Sequence, residues 1–290
     1  MKLRTALQTM LAGWEEDLSA AWRGAIGGVQ LNWKSPVLDE EMLRGEIILP
    51  GRRAGEVPGA PDGANPLRTF QKTDPAKVRA VILGQDPYAN PMWATGRAFE
   101  QGNLTEWPDD QQKIAVSLRR IVQVLAAART GDRAYTAGDR GWKQLTGDLR
   151  AGRLRLEPPR RLFDRLEKEG VLFLNTSLTI SVVEREPKKR RAHFPVWAPL
   201  IDSVLKLIAA RQSGHAIFLL LGRHASNTFD RSRAKTEAER AGTWKSTVDA
   251  VRHWHPAAIT AKGPVFFEQP NPFCAANDLL RNLGAAPISW

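Results

Sequence analysis

The sequence contains only one cysteine, Cys274, among its 290 residues. A single thiol excludes an internal disulfide bond, and it also excludes an iron–sulfur cluster held by several cysteines of the chain. No apolar run approaches the length of a membrane span, and residues 1–5 lack the apolar core that a secretory signal needs. We therefore expect a soluble, intracellular protein of the cytoplasm with no membrane partner.

Acidic residues are too few to balance the basic ones. The chain has 31 Asp and Glu against 42 Lys and Arg, which gives a formal net charge of +11 and a pI near 10.1. Lys and Arg placed near phosphates release condensed counterions, so this charge favours a polyanionic partner. Nucleic acid is the first candidate, and DNA as the partner predicts a protein associated with the nucleoid.

Helical and strand patterns alternate along the chain. With 42% hydrophobic residues, the chain is long enough for one sizeable α/β core and short for two. Apolar runs predict strands at 78–83, 171–174, 216–221 and 251–254. Apolar residues at helical spacing predict helices in 1–30, 114–125, 162–166 and 197–208. This alternation predicts a doubly wound parallel sheet with right-handed crossovers.

The whole chain, residues 1–290, is predicted to form a single domain and to act as a monomer. Residues 1–75 are expected to form an N-terminal helical and cover region, and residues 76–290 the sheet core. Residues 50–66 are rich in Gly and Pro and predict a loop. Residues 130–157 are polar and rich in Gly, and no role is assigned to them.

Polar side chains follow three of the predicted strands. Asp86 comes shortly after the run that ends at Leu83, Asn175 follows Leu174, and His255 follows Trp254. Loops at the carboxyl ends of parallel strands meet at one edge of the sheet, which is the usual ligand site of such folds. Taken singly, each residue also has a purely structural interpretation. Asp86 could shape an Asp-Pro turn, Asn175 could cap a helix, and His255 could be a core histidine. Together they favour a site, with Asp86 as the leading catalytic candidate.

The residues around these positions resemble a known family, the uracil-DNA glycosylases of the first class. Gly84-Gln85-Asp86-Pro87-Tyr88 is the hallmark sequence of that class, and residues 94–99, 174–179 and 255–260 are similar to its other blocks. The resemblance implies an α/β fold with a central four-stranded parallel sheet flanked by helices. It also implies DNA as partner, base flipping, and hydrolysis of the bond between a pyrimidine and its deoxyribose. It implies no cofactor and no metal.

The resemblance gives two residues catalytic roles. Cleavage of the bond builds positive charge on the sugar and negative charge on the departing base, so each needs a fixed opposite partner. An ionised Asp86 would orient the attacking water and stabilise the sugar cation. His255 would donate a hydrogen bond to the base carbonyl that becomes anionic, and a neutral imidazole is sufficient for this.

Four residues are assigned to the base. Phe99 would stack on the extruded ring, an interaction worth roughly 1–3 kcal/mol, although core packing is its alternative. Asn175 offers a donor and an acceptor to the pyrimidine edge, which fits uracil and mismatches cytosine. Tyr88 would exclude the methyl group of thymine by a clash. Gln85 joins this set because it belongs to the hallmark sequence.

The remaining assignments concern DNA. Ile259 lies where the family presents an apolar wedge that fills the gap left by the flipped nucleotide. Ser117, Arg223 and Ala257 lie where the family grips phosphates, with alanine in place of a serine at 257. In the charge run 184–191, which is first interpreted as a solvated loop, Lys188 and Arg190 are candidates for tracking phosphates. The adjacent His193 either enters the site or pairs with a loop carbonyl.

The segment after Tyr88 departs from the family pattern. Ala89 stands where the family has histidine, Trp93 is a bulky addition, and Thr95 and Arg97 replace histidine and leucine. These changes lie beside the expected pocket, so they leave the base open. We expect excision of uracil, and the alternative is a modified pyrimidine, such as an enlarged cytosine of bacteriophage DNA removed in antiviral defence. A hypothesis of another class is a non-catalytic DNA-binding protein on the same fold.

Overall fold

The computed structural model describes residues 1–53, 55–183, 186–260 and 263–290, and only the main chain of 186–189 and 263–264. Its helices in these ranges are α1 (Leu3–Leu11), α2 (Ala20–Ile26), α3 (Val116–Thr130), α4 (Gly138–Arg150), α5 (Pro159–Lys168), α6 (Phe194–Ala209), α7 (Arg223–Ser232), α8 (Ala234–Arg240) and α9 (Pro272–Asn282). Its strands are β1 (Glu46–Leu49), β2 (Ala80–Gly84), β3 (Val171–Asn175), β4 (Ile180–Val183), β5 (Glu186–Ala192), β6 (Ala216–Leu221), β7 (Val248–His253), β8 (Ile259–Thr260) and β9 (Gly263–Pro264). Within this part of the chain, no helix combines the length and the apolar character needed to cross a bilayer.

The central sheet has four strands in the order β3-β2-β6-β7, and all neighbouring pairs are parallel. The strands β2, β3 and β6 are buried along their whole length because both faces of the sheet are covered there, whereas the edge strand β7 also carries polar residues. Alternate residues therefore enter different cores: Val81 and Leu83 pack on one side, while Ala80 and Ile82 pack on the other. The predicted four-stranded parallel sheet flanked by helices is confirmed.

Each face of the sheet is covered by its own layer of helices. One core includes Leu7 of α1, Trp22 of α2 and Trp197 of α6, together with residues of α7 and α8. The opposite core includes Trp142 of α4 and Phe273 of α9, together with residues of α3 and α5. The N-terminal helices thus pack on the sheet itself, in line with their apolar spacing.

A second, antiparallel sheet has the order β1-β4-β5 and was not expected. Its edge strand β5 contains residues 186–191, so the interpretation of these residues as a solvated loop was wrong. Arg190 pairs with Val182 and Arg191 with Ser181, which sends the two arginine side chains to opposite faces. Arg191 then binds Glu46 on β1. The pattern was missed because β5 has almost no apolar residues, and a charged edge strand resists pairing with other chains.

Residues 130–157, which had no assigned role, contain helix α4. Trp142 and Leu145 are fully buried on one side of this helix. Gly141 is needed because any side chain there would collide with the carbonyl oxygen of Tyr135. Gly141 and the other glycines of this segment gave it the composition of a loop, although Gly141 alone makes such a close approach.

The loop predicted at 50–66 is present, and Arg52 ties it to the N-terminal helices. The Arg52 guanidinium is almost completely buried and forms an ion pair of 2.7 Å with Asp17. It also donates to the carbonyl oxygens of Met10, Ala12 and Gly13. Val57 from the same loop packs against the second sheet. The loop is therefore a fixed cover and not a free insertion.

Replacing Arg52 with methionine is expected to lower the free energy of unfolding by about 3 kcal/mol, because the partly buried Asp17 carboxylate loses its ion pair and several main-chain carbonyls lose their donor. Chemical denaturation followed by tryptophan fluorescence measures this change. Arg53→Met is the matched control, since Arg53 is the exposed neighbour, and it should change stability by less than about 0.5 kcal/mol. Equal losses in the two variants would contradict the role given to Arg52.

Candidate active site

A cavity of about 200 Å³ opens at the carboxyl edge of the central sheet. It is lined by residues from β2, β3, β5, α3 and the loops after β2 and β7. The predicted site residues in its walls are Gln85, Asp86, Tyr88, Phe99, Ser117, Asn175, Arg190 and His255. A larger groove of about 690 Å³, between Trp107 and Leu149, contains none of them. The strand-end carboxylate, amide and imidazole therefore share one enclosed space.

The Asp86 carboxylate lies two residues beyond the end of β2 and is partly buried. Burial raises the pKa of this carboxyl above its ordinary value, whereas the charge of Arg190 and a hydrogen bond from Gln85 act in the opposite direction. Arg190 reaches this place because β5 sends its side chain to the face opposite Arg191. The site thus combines a desolvated carboxylate with a cation that favours its ionised form.

The Asn175 amide occupies the end of β3, directly opposite Gly84 in the register of β2 and β3. Asn175 is only 2% exposed. A side chain on Gly84 would collide with its Oδ1 and would come within 2.8 Å of Ala98 Cβ. Among the described residues, this Oδ1 has no hydrogen-bond partner. A buried orphan acceptor costs about 1–3 kcal/mol, which is expected where a ligand supplies the missing donor.

The His255 ring is held in one orientation by its own loop. Its Nδ1 accepts a hydrogen bond of 3.0 Å from the main-chain N–H of Ala257. Burial lowers the pKa of this imidazole, and the nearby Arg120 and His224 lower it further. A neutral ring that accepts at Nδ1 carries its proton on Nε2, so that atom is the donor available to the cavity.

Gly222 at the end of β6 makes room for this ring. Its φ of +105° is unfavourable for other residues, and a Cβ there would lie 2.7 Å from the Cβ of His255. Glycine is therefore required by both the main-chain conformation and the close approach of the imidazole.

Phe99 stands in the cavity wall with a φ of +65°, a left-handed conformation that costs a bulky residue about 1–2 kcal/mol. Its ring centroid is 6.3 Å from that of His255. The Tyr88 hydroxyl contacts both the carbonyl oxygen of Phe99, at 3.3 Å, and the Ser117 hydroxyl, at 3.1 Å. Backbone strain of this kind is typical of functional sites, where surrounding contacts hold it in place.

A largely buried ion cluster anchors the segment that contains Phe99. Arg97 binds Glu100, Asp164 and Glu167, and it is almost completely enclosed. Arg97 and Glu100 flank the strained residue on both sides in the sequence. Sequence reasoning noted Arg97 only as a departure from the family, because its acidic partners lie far along the chain.

The other predicted DNA contacts lie outside the cavity. Ile259 is 68% exposed, and Arg223 is exposed at the first residue of α7. Ala257 uses its N–H to hold His255, as described above. The Lys188 side chain lies outside the described part of the molecule.

The two alternatives for His193 were both wrong. His193 is fully buried, and its Nδ1 lies 2.8 Å from the Thr179 hydroxyl. It therefore neither enters the cavity nor pairs with a loop carbonyl through this nitrogen. Desolvation by burial lowers the pKa of its imidazole to about 3.

Sequence reasoning missed two groups beside the cavity. The Thr176 hydroxyl donates to the Gln85 carbonyl oxygen at 2.8 Å, and it therefore accepts from His224 Nε2 at 2.7 Å. Arg120 contacts the loop that carries His255. No pattern along the chain links these partners, since each contact joins distant segments. In the described ranges, no three His, Cys, Asp or Glu residues are grouped so that they could hold a metal ion.

Comparisons with known proteins agree with the hallmark sequence. A sequence model of the uracil DNA glycosylase superfamily matches residues 70–281. The chain is similar to a uracil-DNA glycosylase of Bordetella petrii, with 29% identity over 98% of this chain and 91% of the relative. It is also similar to a uracil-DNA glycosylase of Bacillus subtilis, with 26% identity over 79% of this chain and 80% of the relative.

Solved structures show the same fold. The wild-type UNG of Nitratifractor salsuginis has a TM-score of 0.58 and 22% identity, and the match covers 98% of both chains. At this level of identity the similarity concerns the arrangement of helices and strands.

Nitrogen NMR of labelled imidazoles is expected to find His255 neutral near pH 7, with its proton on Nε2, because Ala257 occupies Nδ1 and burial opposes the charged form. Titration should give a pKa below the ordinary value of 6.5. Spectra of the His255→Gln variant identify the signals by their loss. A proton on Nδ1, or an imidazolium at neutral pH, would contradict this geometry.

Proposed function

The chain belongs to the uracil DNA glycosylase superfamily, whose sequence model matches well over half of its residues, and from this premise we propose that it hydrolyses the N-glycosidic bond of uracil flipped out of DNA. The observation that carries the proposal is the shared cavity of Asp86, Asn175 and His255 at the sheet edge. A base inside a duplex cannot be reached, so a closed pocket of this kind requires the nucleotide to rotate out of the stack.

Recognition of the base rests on Asn175 and Phe99. The orphan Oδ1 of Asn175 accepts from the ring N–H of uracil, and its amide N–H₂ donates to the neighbouring carbonyl oxygen. Cytosine has no ring N–H and carries an amino group in place of one carbonyl, so it would leave at least one of these bonds unmade inside a buried site, at about 1–3 kcal/mol for each. Phe99 provides the stacking face, and its strained main chain keeps the ring at the cavity wall.

Bond cleavage rests on Asp86 and His255. The ionised Asp86 carboxylate orients a water molecule toward the sugar carbon and stabilises the positive charge that develops on the sugar. His255 donates from Nε2 to the carbonyl oxygen of the departing base, where negative charge collects. A neutral imidazole suits this role because it gives the hydrogen bond without transferring its proton.

Contact with DNA rests on the net charge of +11 and on groups near the cavity mouth. Arg190 is exposed and lines the cavity, so a phosphate beside the flipped sugar can reach it. Ile259 projects on the short β8–β9 ribbon, where an apolar side chain can fill the gap in the stack. Lys188, Ser117 and Arg223 remain predicted phosphate contacts, whereas the N–H of Ala257, its one donor, is bonded to His255.

The position of Tyr88 favours uracil over a bulky modified pyrimidine. Its hydroxyl is fixed by Phe99 and Ser117, and its ring packs edge-on against Trp93 at 5.8 Å. A large substituent on the base would have to displace this packed ring. The non-catalytic alternative gives no reason for a desolvated carboxylate next to the amide and the imidazole.

Purified protein is expected to release uracil, and not thymine, cytosine or enlarged phage cytosines, from otherwise identical duplexes. Abasic sites cut by alkali and resolved on a gel provide the measurement. Release of a modified cytosine alone would replace uracil as the substrate, and release of no base from any duplex would leave the DNA-binding hypothesis.

Asp86→Asn should lower kcat/KM for uracil by about 10²- to 10⁴-fold, because the neutral amide neither orients the water as a base nor offsets the sugar cation. Asp62→Asn is the control, since Asp62 is an exposed carboxylate in the 50–66 loop. It should retain full activity, and both variants should keep the wild-type unfolding temperature within a few degrees. Equal activity of Asp86→Asn and wild type would refute the catalytic role of Asp86.

The acidic side of the pH profile is expected to depend on Arg190. The pKa of Asp86 is raised by burial and opposed by Arg190, so activity is lost as the pH falls through that raised pKa. Arg190→Gln removes the opposing charge, which raises the pKa further and moves the acidic limb to higher pH. Arg190→Lys should keep the limb near its wild-type position, and Arg240→Gln, an exposed charge on α8, should not move it. If the acidic limb of Arg190→Gln lies at the same pH as that of the wild type, the effect of Arg190 on the pKa of Asp86 is contradicted.

A further inference from the structure

Arg120 is an unusual buried group beside the His255 loop. It lies in α3, one turn after Ser117, and is only 4% exposed. Its Nη1 donates to the carbonyl oxygens of Pro256, at 2.7 Å, and Ala258, at 3.1 Å. Burying a guanidinium whose hydrogen bonds, within the described part of the chain, go to main-chain carbonyls costs stability. An arrangement with this cost needs a reason other than stability.

The two carbonyls belong to the turn that orients the imidazole. The Pro256 carbonyl and the Ala257 N–H are part of the same peptide group, and in a trans peptide they point in opposite directions. Arg120 holds the oxygen side of this group, while the nitrogen side donates to His255 Nδ1. If this peptide group rotated, the imidazole would lose the bond that places its proton on Nε2. Arg120 thus fixes the plane that selects the tautomer.

The second hydrogen bond of Arg120 holds the main chain just before Ile259, the proposed apolar wedge. The Ala258 carbonyl belongs to the peptide group that leads into Ile259, the first residue of β8. The Arg120 guanidinium therefore holds two peptide groups: one orients the His255 imidazole, and the other leads into the exposed Ile259. Burial and the positive charge of Arg120 both oppose protonation of the His255 ring.

We propose that Arg120 is the positioning residue of the His255 loop: it locks the Pro256–Ala257 peptide group so that Nε2 of a neutral imidazole is presented to the departing base. This inference rests on the proposed base excision for its kinetic consequence. Its structural consequence, the tautomer and the protonation of His255, is independent of any activity. Preorganised donors of this kind need no rearrangement as charge develops.

Three substitutions separate the charge from the hydrogen bonds. Arg120→Met removes both, Arg120→Gln keeps one donor without charge, and Arg120→Lys keeps the charge with a shorter reach. Arg119→Met is the matched control, because Arg119 is the neighbouring arginine of α3 and binds Gln111 and Asp139 instead of the loop. Each variant is first tested for cooperative unfolding, so that only folded proteins enter the comparison.

Arg120→Met is expected to lower kcat for uracil excision by up to about 100-fold, the scale of a small misplacement of a catalytic group, with a smaller change in KM. Arg120→Lys should recover part of this loss. Nitrogen NMR should show a mixture of tautomers in Arg120→Met, and a His255 pKa higher than in the wild type in both Arg120→Met and Arg120→Gln. Arg119→Met should match the wild type in all readouts.

Unchanged NMR signals and unchanged kcat in folded Arg120→Met or Arg120→Gln would overturn the proposal and leave Arg120 a purely structural group. If wild-type protein excises no base, the proposed function fails, but the NMR comparison still judges the positioning role. If wild type excises uracil and the variants keep both the tautomer and the rate, only the positioning role fails.

Discussion

The site depends on the register between two neighbouring parallel strands. Gly84 and Asn175 are partners in β2 and β3, and the missing side chain of Gly84 leaves the space that the Asn175 amide fills. The same register brings Asp86, two residues beyond Gly84, to the cavity that this amide lines. A shift of one residue would turn every side chain of the strand to the opposite face and dismantle the cavity. The apolar residues behind the site hold this register, since they fill both cores.

The proposed reaction requires the cavity to keep Asp86 ionised and His255 neutral. Burial opposes the charge of Asp86, and in the proposed reaction negative charge would develop close to His255. The charge of Arg190 favours the ionised form of Asp86, while burial and the charge of Arg120 favour the neutral form of His255. These arginines come from β5 and α3, so the second sheet and the helix layer contribute directly to the electrostatics of the site.

Much of this arrangement could be predicted from the chain. Continuous apolar runs marked three of the central strands, and the fourth, β7, was predicted from a less apolar run at 251–254 and begins earlier, at Val248. Polar residues at the strand ends predicted a common edge, because parallel strands converge there. The comparisons confirm the family that Gly84-Gln85-Asp86-Pro87-Tyr88 suggested. The roles of the individual residues stay predictions until the variants are measured.

The missed features share a physical cause, since each depends on a partner that is distant in sequence. Strand β5 carries charges on both faces, and only its pairing with β4 makes it a strand. Arg97 has buried partners on α5, and Arg120 has its partners beyond β7. Helix α4 is the exception, because its polar, glycine-containing sequence hid it, and its one closely packed glycine, Gly141, contacts the nearby Tyr135. Local patterns do not contain this information.

The central claim is that carboxylate, amide and imidazole surround one extruded pyrimidine. A crystal structure of the Asp86→Asn variant bound to a duplex that contains uracil tests this claim most directly. We expect the uracil ring to stack on Phe99, its ring N–H and adjacent carbonyl to bind Asn175, and its other carbonyl to lie within hydrogen-bond distance of His255 Nε2. A uracil that remains stacked in the duplex, or one that binds away from these three side chains, would contradict the account.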